Sequence, residues 1–300
     1  EDDWDVVRDG ELVDGRWSVA VEDGDARAFE AMLDVARQAP EPDPMDRARF
    51  EQLARWLDLP QFIDYHLIQI HAANWDWPNK NWRAARNRDL GNGFQFFVWD
   101  MEHTTALRDD PDDKLCVWVR DPRTGACGFK ADTLGVQDLH GWLMHFPDYR
   151  IAFADRVQRR FFAPADPTAL HAIDFPKVWE RYHDRWPYGP QTPDHWRLER
   201  DRVLTRHFPD RTAVVLQQLC DEGLFPPVAP PALTVDGDPL EPQQMALTPS
   251  AVGCRETIVG TAVYYTLDGS DPRTPWSGDP AVPWSGEPSP TAAAYRGTVK

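Results

Sequence analysis

The stretch from Asp58 to Asp100 constrains the fold more than any other part of the 300-residue chain, because its residue pattern changes character twice. Asp58 precedes the run LPQFIDYHLIQIHAA, which has Pro60 in its first turn and Phe62, Ile63, Leu67 and Ile70 as apolar positions. This spacing predicts a largely buried helix. The polar segment NWDWPNKN then ends the helical pattern. Two runs of strand character follow, NWRAAR and FQFFVWD, joined by NRDLGNG, whose Asn-Gly pair is a hairpin signal. A buried helix that runs through a polar loop into a β-hairpin predicts an α+β fold with the loop at the junction.

The flanking sequence extends this reading. Residues 1–24 are acidic, with turn signals and short apolar alternations, and read as the tail of an upstream element. ARAFEAMLDVARQA (26–39) has Phe29, Met32, Leu33 and Ala36 on one helical face, and a second helix is expected from Pro44 through Leu57. A polar stretch reaches about 134. A helical block then runs to 222, through LHGWLMHF, YRIAFADRVQRRFF, DHWRLERDRVLTRHF and RTAVVLQQLCDEG. A Pro-rich linker is expected over 223–232. The short strands and turns of 233–300, such as AVYYTLDGSDPR, predict part of an Ig-like β-sandwich module, with Asp268 and Asp271 as turn residues rather than calcium ligands.

Composition narrows the function classes. A formal charge of −17 argues against binding a nucleic-acid backbone, although divalent metal would let an acidic protein handle phosphates. Cys116, Cys127, Cys220 and Cys254 form no CxxC pair and give no zinc spacing; a Cys116–Cys127 disulfide and two reduced thiols are equal readings. No apolar run reaches transmembrane length and no signal peptide stands at the start. The first residue is Glu1, so the chain is expected to begin inside a longer protein. HGWLMH, with His140 and His145, lacks the zinc-protease arrangement, and no G-x-S-x-G marks a serine hydrolase. His71 and His103 lack metal-ligand spacing and read as buried, hydrogen-bonded side chains.

The polar loop carries the chemistry. Asp76 and Asn81 are five residues apart, and a hairpin later Asp100 returns toward them. Two carboxylates and an amide are hard oxygen ligands suited to Mg²⁺. The same order occurs in protein kinases: a catalytic Asp, an Asn five residues on, a hairpin, then a metal-binding Asp. Trp75, Trp77, Trp82 and Trp99 read as aromatic clamps on this loop rather than as sugar-stacking residues. Asn74 and Asn79 read as turn formers.

NWDWPNKNWRAARNRDLGNGFQFFVWDMEHT (74–104) resembles the core of the CotH kinase family, secreted atypical kinases related to the bacterial spore-coat protein CotH. The shared features are an N-x-D loop, a Lys-Asn pair, a short hairpin and a W-D-x-D/E segment. DDWDVV, FADRVQRRFF and the stretch from HWRLERDRV to DEGLFP resemble neighbouring parts of that family, so the likeness covers most of 1–226. VYYTLDGSDPR resembles the chitobiase C-terminal type of Ig-like module. The resemblance implies a mainly helical kinase C-lobe over 1–222, with a β-hairpin at its active site. It also implies transfer of the ATP γ-phosphoryl group to Ser or Thr of an extracytoplasmic or surface protein in bacteria. Asp76 would be the catalytic acid-base residue. Asn81 and Asp100 would hold Mg²⁺, with Glu102 as an additional metal ligand, and Lys80 would contact phosphate.

Two departures qualify that expectation. Glu102 is longer than the Asp common at its position. No lysine precedes Lys80, and no glycine-rich cover or Walker A segment is present, so the nucleotide-gripping lobe is expected upstream and these residues by themselves are expected to be inactive. Two other readings compete. FQFFVWDMEHT, taken by itself, would suit a glycoside hydrolase using Asp100 and Glu102, but the repeating units of a TIM barrel are lacking. A degenerate kinase fold acting as a surface scaffold is the other.

Overall fold

The computed structural model describes residues 3–13, 16–37, 47–74, 77–78, 80–101, 104, 136–144, 146–162, 198 and 200–225, and then 234–235, 238–239, 264–270, 272–273 and 288–295. Its elements are strands β1 (Trp4–Val13) and β2 (Arg16–Asp23), helices α1 (Arg27–Arg37), α2 (Arg47–Trp56) and α3 (Leu59–Ala72), strands β3 (Trp82–Asn87) and β4 (Gln95–Val98), and helices α4 (Val136–Leu143), α5 (Pro147–Phe162) and α6 (Phe208–Asp221). A π-helical turn, Val203–His207, leads into α6. The fold is α+β. Among the described residues no helix is long and apolar enough to cross a membrane.

The four strands form one antiparallel sheet in the order β2-β1-β3-β4. Residues 4–23 are thus a hairpin of the same sheet and not the trailing end of another element. A charge at an inward position hid this from the sequence. Asp5 and Val7 both point into the core, and Asp5 is 1 % exposed because Arg86 Nε holds it at 2.9 Å and Arg88 Nε lies at 3.6 Å. The expected alternation is present once that acid is counted as a paired inward residue.

The core lies between the inner face of the sheet and the helices. Trp82, Ala84, Phe94 and Phe96 come from the second hairpin, and Phe29 of α1 stacks on Trp82 at 5.6 Å. Phe29, Met32, Leu33 and Ala36 are all buried, as the period of α1 predicts. Leu139 and Leu143 of α4, Phe153 and Val157 of α5, and Val215 and Leu219 of α6 close the other side. Asp64 of α3 takes both Arg156 and Arg160 of α5, with Nε distances of 2.7 and 3.1 Å. Leu224 and Phe225 still pack into this core, so it extends past the expected boundary at 222.

Helix α3 also holds the second hairpin. Asp58 is its N-cap, accepting Gln61 N–H at 3.2 Å, with Pro60 in the first turn. The Gln61 side chain accepts Phe96 N–H at 2.8 Å and donates to Phe96 O, satisfying the open side of edge strand β4. Phe94 N–H donates to Trp56 O at 2.7 Å, and Asp58 N–H donates to Phe94 O at 3.0 Å. This contact brings the backbone so close that a Cβ on Gly93 would lie 2.5 Å from the Leu57 carbonyl carbon. Asn92-Gly93 is therefore a packing point, and the chain reverses earlier, over 88–91, with Gly91 at φ 63°.

Toward the C-terminus, residues 234–235 pair with 238–239 and 264–265 pair with 293–294, both antiparallel. Asp268 is a turn residue: its Oδ1 accepts Ser270 N–H at 2.9 Å and Ser270 Oγ at 2.6 Å.

Candidate functional site

The end of α3 sets the geometry of the polar loop. Ala73 adopts φ 58°, and its N–H donates to Ile70 O at 3.1 Å while Asn74 N–H donates to Gln69 O at 3.2 Å. These paired bonds form the turn that usually takes a glycine. Arg211 of α6 completes the cap. It is 2 % exposed, its Nε donates to His71 O at 2.9 Å, and its Nη2 donates to Ile70 O. A cation there suits the negative end of the helix dipole, and among the described residues no carboxylate pairs with it. Burial lowers the Arg211 pKa to about 9.

A buried polar chain fixes the loop on both sides of residues 75 and 76. Trp77 Nε1 donates to Tyr65 Oη at 2.8 Å, Gln69 Nε2 donates to the same oxygen at 3.3 Å, and Asn74 Nδ2 donates to Gln69 Oε1 at 2.9 Å. Burial pushes the Tyr65 phenol well up, so it stays neutral. The same Asn74 nitrogen lies 3.4 Å from Met101 Sδ, one residue past Asp100. The loop and the end of β4 therefore meet through one amide.

The β3–β4 register runs from Ala85↔Gln95 to Trp82↔Val98. Asn81 and Trp99 consequently leave the sheet at the same end, with Asp100 one residue further. Asn81 is buried at φ 64°, and Asp100 is exposed at φ 55°. Left-handed backbone is uncommon outside glycine and is best tolerated by Asn and Asp. Lys80 is exposed beside them. Asp76, Asn79 and Glu102 lie outside the described residues. Among the described residues no group of three His, Cys, Asp or Glu side chains gathers as a metal site.

The tryptophans divide. Trp77 and Trp82 are buried clamps as expected, whereas Trp99 is 49 % exposed, with the Arg83 guanidinium 3.9 Å over its ring. Clamping was the wrong reading for Trp99. Its place one residue past the last ladder pair is visible only once the register is known. Trp75 lies outside the described residues.

The described histidines are interior groups. His71 Nε2 lies 3.4 Å from Thr212 Oγ1, and burial followed by the Arg211 charge lowers its pKa to about 4. His66 and His140 stack at 4.5 Å, and His140 Nδ1 meets Tyr149 Oη at 2.5 Å. Burial lowers His66 to about 3 and His140 well below its usual value. None has the exposure or metal-ligand grouping of a catalytic histidine. His103, His145, Cys116, Cys127, Cys254 and Asp271 lie outside the described residues, while Cys220 is disulfide-bonded. Compared with protein-family models and with curated proteins, the chain matches none.

Proposed function

We propose that this chain is the large-lobe portion of a CotH-like kinase, transferring the γ-phosphoryl group of ATP to a Ser or Thr hydroxyl, followed by part of an Ig-like module. The observation that carries the reading is the shared sheet end at which Asn81 and Asp100 emerge, both with left-handed backbone, beside the loop that holds Asp76. A rigid helix end and a pinned hairpin are what such a site needs, because phosphoryl transfer depends on positioning and charge stabilisation.

In this mechanism the Asp76 carboxylate accepts the proton of the acceptor hydroxyl. The acceptor oxygen forms a bond to the γ-phosphorus as the bond from that phosphorus to the β–γ bridging oxygen breaks, and ADP leaves with the electron pair. Asn81 and Asp100 supply an amide and a carboxylate oxygen, a donor set that fits Mg²⁺, and Glu102 is a further carboxylate of the same chemistry. Bound Mg²⁺ would neutralise charge on the phosphate oxygens. Lys80, exposed beside Asn81, would add a cation for phosphate.

Transfer of label from γ-labelled ATP to a hydroxyl-bearing protein, in the full-length protein, tests the reading. Asp76→Ala is expected to lose about 10²–10⁴-fold in rate. Full activity in that variant would remove Asp76 from the mechanism. A scaffold without transfer is the second reading; it predicts no Mg²⁺-dependent ATP binding by the full-length protein.

A further inference from the structure

We infer that Asn74 is a positioning residue for the metal end of the hairpin, its side-chain oxygen accepting a hydrogen bond from a water bound to Mg²⁺. The inference rests on the phosphoryl-transfer reading above. Asn74 is 7 % exposed, and its Oδ1 is buried with no hydrogen-bond partner, although its Nδ2 is engaged by Gln69 and Met101. Leaving such an acceptor unmet costs about 1–3 kcal/mol, so it calls for a donor that the described residues do not supply. Turning the Asn74 and Gln69 amides over together would only exchange which end of Asn74 is left over. The Met101 thioether, an acceptor, favours the orientation with Nδ2 toward it.

The place of Asn74 in the fold points to a donor, since its Nδ2 reaches Met101 at the end of the hairpin. Asn74 opens the loop that leads to Asp76 and Asn81, and Met101 directly follows Asp100. Mg²⁺ keeps several of its waters when it binds through one or two carboxylates, and those waters are strong donors. Oxygen acceptors in that outer position orient the ion and its ligands, and losing one typically weakens metal binding about 10–100-fold. The Gln69–Tyr65–Trp77 chain fixes the Asn74 amide from behind, which suits an acceptor that must wait for its donor.

Mg²⁺ binding to the full-length protein in the presence of ATP, followed by calorimetry and by the Mg²⁺ dependence of the melting temperature, tests this. In Asn74→Leu the half-saturating Mg²⁺ concentration should rise about 10–100-fold. In Asn74→Asp, which keeps an acceptor oxygen and loses the donation to Gln69, it should stay near wild type. A purely structural role predicts the opposite for the leucine variant: an unchanged Mg²⁺ midpoint, with a lower melting temperature from the lost bond to Gln69. That result, or equal weakening in both variants, overturns the role of Asn74 and leaves the phosphoryl-transfer reading standing. Absence of Mg²⁺ binding in the wild type overturns both.

Discussion

Among the described residues, Ala73, Asn81 and Asp100 take left-handed backbone without being glycine, and all three flank the polar loop and the hairpin end that faces it. Each such residue costs about 1–2 kcal/mol relative to ordinary backbone, so the surroundings must hold it. At Ala73 the holder is visible: the helix-terminating turn and the buried Arg211 that caps it. Arg211→Ala would strip Ile70 O and His71 O of a charged donor, and is expected to destabilise the fold by about 3 kcal/mol in chemical denaturation. Arg211→Lys should recover little of this, because one ammonium cannot reproduce the two-pronged fit. At this scale the spacing of Asn81 and Asp100 across a hairpin was readable, and the β3–β4 register brings both to one sheet end; Asp76 lies outside the described residues. Arg211 draws no attention in the sequence, Asn74 reads there as a turn former and Trp99 as a clamp, because their contacts are made across 140 residues, across the hairpin, or at the end of a register.

Helix α3 is the element on which the account depends, since it anchors both the loop and the hairpin. Its interior face carries His66 and His71, and His207 stands opposite on the turn before α6. Their pKa values fall to about 3, 4 and 3, burial being the main cause each time. The unfolded chain binds these protons at about pH 6.5 while the fold refuses them, so stability is complete above that value and is lost as pH falls toward 4. At somewhat under 1.4 kcal/mol per histidine per pH unit, the three together predict a loss approaching about 4 kcal/mol between pH 6 and pH 5. Urea unfolding at the two values measures it; equal stability would mean that the histidines are not buried neutral. The helices α1 and α3 and the β3–β4 pairing were legible because their apolar periods are regular. The β1–β2 hairpin was not, because the buried Asp5 breaks its pattern and is paired by arginines about 80 residues away.

For the whole molecule, the sequence placed one α+β body before a change in character near 223, and the core runs two residues further, to Phe225. The net charge of −17 means that phosphate must be met by metal and a few local cations rather than by a general basic surface. The central claim is therefore that the sheet end bearing Asn81 and Asp100 binds Mg²⁺ with ATP. The most direct test is calorimetric titration of the full-length protein with ATP, with and without Mg²⁺, for the wild type, Asn81→Ala and Asp100→Asn. The account predicts Mg²⁺-dependent binding in the wild type and at least about tenfold weaker binding in each variant. Undiminished Mg²⁺-dependent binding in both variants would contradict it.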